Sequence, residues 1–533
     1  MTAAAQGSAE GFNLAALTPA LLLGSLILIV CVIAIRLSNR TGLPSLLIYL
    51  GVGLFLGEST IPVEVHSAEL TQVLGYCALI VILADGGLTT RWSSIRGSIR
   101  PAVLLSTVGV VASIGVVAVA CHLLLALDWQ TSLLVGAILS STDAAAVFSV
   151  LRNVPLPRRL TGMLEAESGF NDAPVVILVT SLSAQAANPG HGHSPLAVGG
   201  LALLELTVGA VIGLSVGWVG SSVMRHTASA SSGLFSIGIL AVTVLAYAAA
   251  ASVHASGFIA TYLSALVLGN RKLPHRQAVH GFATGAGWLA QIGLFVLLGL
   301  LAEAEDLGNQ VVPAIVIGLV LLLLARPVSV LASVSWFGMP LREQAFLSWA
   351  GLRGAVPVVL ATVPVTMRAP NVDWIFDLVF VLVIIFTLVQ APTLPYVARW
   401  LGVVEEHRSR ELSVESTPVE ELKAQLLQID VGKRSRLHGV AIFELRLPED
   451  ANVTLIVRDG HGLVPGSRTT IRRGDQLLVV TTDAAREQAE KLIRRISQQG
   501  RLAGWTARPV RVPKQPGRPG FGSVGAPPTD ADA

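Results

Sequence analysis

The sequence predicts an all-α polytopic membrane protein of about thirteen transmembrane helices, with inverted six-helix repeats and two broken crossing helices, followed by a small cytoplasmic α+β C-terminal domain. Three observations predict it. Of 533 residues, 52% are hydrophobic and only 13% are charged. Lys and Arg are spread unevenly, with 17 before residue 401 and 20 after it, so the two parts are built for different solvents. Between residue 17 and about 400 the sequence reads as thirteen apolar stretches of membrane-spanning length, which is roughly 17 to 25 residues.

In chain order the stretches are 17–36, 43–57, 68–89, 101–126, 131–151, 160–184, 196–222, 233–252, 255–270, 282–302, 311–335, 344–367 and 374–399. Residues 1–16 form an extracytoplasmic N-terminus and 17–400 the membrane domain. No basic flank or cleavage pattern precedes the first stretch, which therefore reads as a retained helix. Alternate loops carry Arg36 and Arg40; Arg91, Arg96 and Arg100; Arg152, Arg158 and Arg159; Arg225; Arg271, Lys272 and Arg276; and Arg342. The loops between them carry only Arg368, and they collect Glu58, Glu64, Asp128, Glu303, Glu305 and Asp306. Cytoplasmic loops hold the basic excess, so the N-terminus is placed outside and the C-terminus in the cytoplasm of a plasma or inner membrane. Cys31, Cys77 and Cys121 all fall in apolar stretches and read as small buried hydrophobes, not as disulfides or a metal site.

Thirteen spans divide into two six-helix units around a linker, the seventh, which starts the second unit from the opposite side. Such inverted repeats place ion sites near the midplane, on helices interrupted at corresponding positions. The fifth span of the first unit contains SSTDAAAV (Ser140–Val147), and that of the second contains GLRGAVPVVLATVP (Gly351–Pro364). Gly351, Gly354, Pro357 and Pro364 weaken or interrupt helix, and carbonyls freed at that depth need a partner, water or an ion.

After Arg399 the composition changes. Residues 401–421 form a charged connector, and 422–497 a small domain whose runs LLQIDV, GVAIFELRL, VTLIVRDG and QLLVVTT alternate as four half-buried strands. A helix is expected over 484–497. Residues 498–533, rich in Pro and Gly, have too little apolar content to fold alone and read as a disordered tail.

The chemistry concentrates in GMLEAESGFNDA (Gly162–Ala173), which sets Glu165, Glu167 and Asp172 inside an apolar span. Intramembrane charges are costly and mark ion paths or ion pairs. At about 1.5 Å per residue Asp172 lies roughly 18 Å from the cytoplasmic end of its helix, and Asp143 reaches a similar depth from the other side. Ser168 and Asp172 share a face, as do Glu167 and Asn171. One buried arginine neutralises one carboxylate, so Arg353 is paired with Glu167, leaving Asp172 with no permanent cation. Asp172 then holds either a proton or a metal cation, and exclusive occupancy of one carboxylate suffices for antiport. Ser168, Asn171 and Thr142 supply the neutral oxygens that suit Na+ or K+ better than a divalent ion.

ESGFND, STDAA and GLRGAVPVVLA together resemble the signature segments of the monovalent cation/proton antiporter family, in its NhaP-like branch, over residues 15 to 400. The resemblance implies that Asp172 is the ion carrier, Asn171 its partner, and Glu167 and Ser168 supporting residues. It also sets Thr142 and Asp143 on a broken helix and makes Arg353 the buried arginine. In that family the Asn-Asp pair marks electroneutral members, and homodimers are common. Residues 422–492 resemble the RCK (TrkA-C) regulatory subdomain, which allows a small cytoplasmic ligand such as a cyclic dinucleotide. The whole is similar to potassium/proton antiporters of the cell-volume-regulation type. QAPTLP (Gln390–Pro395) departs from the QGTT-like sequence of relatives, and that helix end receives no role.

Other groups have plainer readings. Asp143 is either an ion ligand or a partner for a basic group in the other broken helix. Glu165 faces the cytoplasmic funnel, Asp85 and Asp377 sit near helix ends, and Glu205 makes a packing hydrogen bond or serves transport. His254, His191 and His193 read as solvated. GAGWLA at Gly285 lacks a preceding strand, so it is small-residue helix packing and no nucleotide site. The net charge of +3 points to no nucleic acid, and neither an enzyme nucleophile nor a cofactor site is evident. The expected function is therefore exchange of cytoplasmic K+ or Na+ for external protons, regulated by the C-terminal domain. The competing class is a ligand-gated cation channel, against which stands the missing TVGYG-type filter.

Overall fold

In hydrocarbon a chain must close its own backbone hydrogen bonds, so apolar runs of this length become helices. The computed structural model describes residues 14–41, 44–58, 68–151, 154–188, 194–227, 231–302, 304–404, 414–419, 424–432, 435–482, 485–500 and 502. They belong to two units, Met1–Glu406 and His407–Ala533. His191, His193, Glu64, Glu303, nearly all of the expected tail and most of the N-terminal segment lie outside the described residues.

The first unit is helical. It runs α1 (Leu14–Thr41), α2 (Ser45–Glu58), α3 (Ala68–Thr89), the short α4 (Trp92–Ile95), and α5 (Ile99–Leu104), which passes through a π turn at Leu105–Gly109 into α6 (Val110–Leu124). Then come α7 (Trp129–Ile138), α8 (Ala144–Leu151), α9 (Arg158–Ala187), α10 (Pro195–His226), α11 (Ser232–Ser252), α12 (Gly257–Asn270) and α13 (Arg276–Leu301). The last are α14 (Ala304–Val320), which passes through a π turn at Leu321–Ala325 into α15 (Arg326–Val334), then α16 (Leu341–Trp349), α17 (Ala355–Thr366) and α18 (Asp373–Trp400). Seven helical stretches among the described residues are long and apolar enough to cross a membrane.

Burial sorts these helices. Along α17 every residue from Pro357 to Pro364 is buried, and α18 buries most of its length, so the two form the centre of the unit. Helices α1, α10 and α11 instead expose Leu22, Leu203 and Leu234 on their outer faces, as suits contact with lipid. Helix starts are capped where the sequence offers an oxygen: Asp128 accepts from the Thr131 amide at 3.0 Å, and Ser194 from that of Ala197 at 3.3 Å. Cys31 and Cys121 are buried as expected, whereas Cys77 is exposed on α3, because the apolar surface it shares faces outward from the helices.

The second unit is a five-stranded antiparallel sheet of β1 (Val414–Val419), β2 (Ala424–Asp430), β3 (Ala451–Arg458), β4 (His461–Leu463) and β5 (Gln476–Thr482), in the order β1-β2-β5-β3-β4, with α19 (Arg486–Gln499). Leu427, Ile429, Leu477 and Val479 alternate inward and pack with Ile493 and Ile496 of α19. Three of the four expected strands are β2, β3 and β5. The fourth, GVAIFELRL, is not a strand. Gly439 at φ 84° and Arg446 at φ 47° bend it, and Ile442–Leu445 form a 3-10 turn closed by Glu444, which accepts from the Ala441 amide at 3.0 Å. Strand β1 escaped notice because VESTPV contains Pro418, which an edge strand tolerates.

Asp475, 1% exposed, anchors this unit through a bidentate pair with Arg458 at 2.7 and 2.8 Å and a bond from the Arg472 amide at 2.7 Å. Burial opposes its charge, but these donors outweigh burial and hold its carboxyl below the usual carboxylate range.

Candidate ion-binding site

Two interrupted helices build the site. Helix α7 stops at Ile138 and α8 starts at Ala144; α16 stops at Trp349 and α17 starts at Ala355. The two breaks touch: the Asp143 amide donates to the Leu352 carbonyl at 2.9 Å. Gly354 permits that approach, since a Cβ there would run into the Asp143 carboxylate. Helices α8 and α17 thus begin at the crossing with their positive ends, and the Oδ1 of Asp143 accepts from the Ala146 amide at 3.3 Å. Asp143 therefore serves the helix starts.

Helices α7 and α16 end at the same crossing, where carbonyls need donors. Arg353 supplies them, its Nε donating to the Leu139 carbonyl at 2.8 Å and its Nη1 to that of Gly351 at 2.9 Å. The expected Glu167–Arg353 pair is not what forms. Glu167 is held by Arg326, with Nη1–Oε1 at 2.6 Å and Nη2–Oε2 at 2.8 Å, both side chains almost wholly buried. The reason is positional: Arg353 is consumed by the helix ends, while Arg326 opens α15 beside α9 immediately after the π turn, a feature common at functional sites. Arg326 was absent from the sequence-derived site. Its signal was present, because an arginine inside the apolar stretch 311–335 calls for the same explanation as the carboxylates of α9.

The remaining residues converge from α9 and the first break. Asp172, 7% exposed, accepts at Oδ1 from the Ser141 hydroxyl at 2.7 Å. Thr142 donates to Glu167 Oε1 at 3.0 Å and accepts from Asn171 Nδ2 at 3.1 Å; Asn171 also reaches the Ser140 carbonyl at 3.4 Å. The Asn171 Oδ1 is buried with no hydrogen-bond partner. Ser168 lies half-buried one turn before Asp172 on the same face of α9. Pro174, inside α9, lacks the amide hydrogen that would bond the Phe170 carbonyl. Ser141 was the other residue sequence reasoning passed over, although it stood in the motif.

The more distant candidates lie apart from this cluster. Asp85 on α3 accepts from the Thr284 hydroxyl of α13 at 3.0 Å, and Glu205 of α10 lies close enough to His254 to interact with it electrostatically. Gln390, in the QAPTLP segment given no role above, donates to the Trp349 carbonyl at 3.3 Å, and Thr393 accepts from the Trp349 indole at 3.1 Å, so that segment supports the end of α16. No group of three His, Cys, Asp or Glu side chains fit to hold a metal ion occurs among the described residues.

Chemically the cluster is a desolvated charge balance. Two guanidinium groups, Arg326 and Arg353, face three carboxylates, Glu167, Asp143 and Asp172. With all five ionised the site carries one negative charge, and a single proton or monovalent cation neutralises it.

Residues 26–400 match the family described as sodium/hydrogen exchanger, transmembrane, and residues 426–494 match the TrkA-C domain. The K(+)/H(+) antiporter NhaP2 of Shewanella baltica is 34% identical over 476 residues, covering 88% of this chain and 82% of the relative. The K(+)/H(+) antiporter NhaP of Alkalimonas amylolytica is 33% identical over 478 residues, covering 86% and 80%. The structure of the sodium proton antiporter MjNhaP1 from Methanocaldococcus jannaschii superposes with a TM-score of 0.63 at 21% identity, over 72% of this chain and 99% of that one. These matches over most of the chain establish that it belongs to the sodium/hydrogen exchanger family of membrane antiporters and carries a TrkA-C domain.

Proposed function

We propose that the protein exchanges cytoplasmic K+ for external protons, one for one, with Asp172 carrying either ion in turn. One observation carries this reading: the buried carboxylate of Asp172 accepts from a hydroxyl, that of Ser141, whereas Glu167, the other buried carboxylate of α9, is paired with Arg326. Ser141, Ser168, Thr142 and the Asn171 Oδ1 provide neutral oxygens for a dehydrated monovalent cation. Since either ion brings the site from one negative charge to zero, the loaded carrier crosses without net charge, which is electroneutral exchange. The relatives named as K(+)/H(+) antiporters favour K+ over Na+. The cation and the proton are substrates, and the proton gradient supplies the driving force.

The same reading includes thirteen crossings with the N-terminus outside, two inverted six-helix units around α10, a homodimer, and regulation by the TrkA-C domain through a small cytoplasmic ligand. The fourth spans of the two units each contain a π turn and the fifth are each broken, which supports the repeat. The test is proton flux from acid-loaded proteoliposomes at clamped membrane potential, adding K+ or Na+ in turn. Dissipation by K+ that vanishes in Asp172→Asn is expected. Cation current without proton movement would replace the antiporter by a channel, and dissipation by Na+ alone would reassign the cation.

A further inference from the structure

Tyr262 of α12 projects onto the carrier helix at a particular place. Its ring fills the notch left by Gly169: a Cβ at that position would collide with the ring carbons. Phe170 holds the ring edge-on, with centroids 5.5 Å apart. At about 100° per residue, Glu165, Ser168, Gly169 and Asp172 all fall within about 100° on one face of α9. Along that face Glu165 and Ser168 are half-buried and Asp172 is buried. The ring therefore stands across the face between Glu165, toward the Arg158 end of the helix, and Asp172. Its hydroxyl is buried beside Thr90 and Glu165.

The two ends of Tyr262 are attached differently. Its backbone belongs to a helix locked onto α3, where Gly87 lies against the Tyr262 carbonyl and Ala265, and Gly269 against the Leu88 carbonyl. Asn270 adds bonds from Nδ2 to the Thr90 carbonyl at 2.9 Å and to Oδ1 from the Trp92 amide at 2.7 Å. The side chain touches α9 only through van der Waals contact. A residue rooted in one packed pair and resting on another, with no polar bond to hold it there, separates when α9 moves relative to α12 or when the ring turns.

We infer that the Tyr262 side chain is a gate, closing the passage between Glu165 and Asp172 by lying in the Gly169 notch. This rests on Asp172 being the ion carrier. Closure is performed by the ring, since ring against helix backbone leaves no space for a cation. The gate keeps the carrier from opening to both sides at once, which an antiporter requires.

The test uses the full chain with Cys31, Cys77 and Cys121 replaced and Asp172→Cys introduced, in oriented proteoliposomes. The rate of modification by a membrane-impermeant methanethiosulfonate is measured from the side bearing Arg158. Tyr262→Ala is expected to accelerate labelling at least tenfold, while Tyr262→Phe, which keeps the ring, stays within twofold of Tyr262. Equal rates for Tyr262 and Tyr262→Ala, or an equal acceleration by Tyr262→Phe, overturn the gate. If Tyr262→Ala fails to fold, Tyr262→Leu substitutes, with a severalfold increase expected and an unchanged rate overturning the inference. Labelling reads geometry without transport. An Asp172→Asn protein that still exchanges ions would refute the carrier, and the labelling rates would still decide the gate.

Discussion

Replacing Arg326 by Gln tests the charge balance most directly. Arg326 is 5% exposed and Glu167 2% exposed, and they meet through contacts of 2.6 and 2.8 Å. Removing one member of such a buried pair strands the other charge, at a cost of about 3 to 5 kcal/mol. At the lower figure the folded population changes by roughly 150-fold relative to the unfolded. Glu167→Gln alone strands Arg326 with a similar penalty, whereas the double variant strands neither. A coupling of about 2 kcal/mol or more is therefore expected from a double-mutant cycle read by equilibrium unfolding in mixed micelles. Function should follow the charge count: Arg326→Gln takes the site from one negative charge to two, so a single cation no longer neutralises it and exchange flux collapses. The reasoning is refuted if the cycle is additive to within about 0.5 kcal/mol, or if Arg353→Gln couples to Glu167 more strongly than Arg326→Gln does.

Three further outcomes are expected. Gly354→Ala drives a methyl group into the Asp143 carboxylate and separates the two breaks, so exchange falls more than tenfold while the protein still inserts, checked by flux and size-exclusion profile. Ser141→Ala removes the hydroxyl that supports Asp172 at 2.7 Å; a bond to a charged group is worth about 1.5 to 3 kcal/mol, so the cation KM rises by roughly tenfold or more in the same flux assay. In the second unit, Asp475 has a folded pKa held below its unfolded value. Its stabilisation is therefore fully present above the unfolded carboxylate range and is lost as pH falls through the folded value. Protection factors of the β3 and β5 amides in the full chain, which divide out the intrinsic pH dependence of exchange, should fall with acidification in wild type, and Asp475→Asn should show low protection already at neutral pH with a flatter pH response.

Much of this was legible in the amino-acid order. Membrane insertion follows from length and polarity alone, because hydrocarbon admits only segments that satisfy their own backbone. The site was legible for the converse reason: Glu167, Asn171 and Asp172 stand where charge and polarity are costly, and the Gly and Pro residues of Gly351–Pro364 advertise a broken helix. In the second unit, period-two alternation located β2, β3 and β5. It misplaced GVAIFELRL, whose positive-φ residues at Gly439 and Arg446 impose a turn that alternation does not register.

What the sequence by itself determined is that α9 carries buried carboxylates and which two spans are interrupted, since both depend on local composition. What only the tertiary structure decided is how those charges are shared. Pairing depends on which helix ends meet, and the crossing at Asp143 and Leu352 commits Arg353 to the carbonyls of Leu139 and Gly351, leaving Glu167 to Arg326, 159 residues away in the chain. The same holds for Tyr262, an unremarkable tyrosine in an apolar span until packing lays its ring on Gly169. Electrostatic and steric partners separated by about ninety residues or more are a property of the fold, because the energy of each contact falls off within a few ångströms while the chain that joins the partners can take any path.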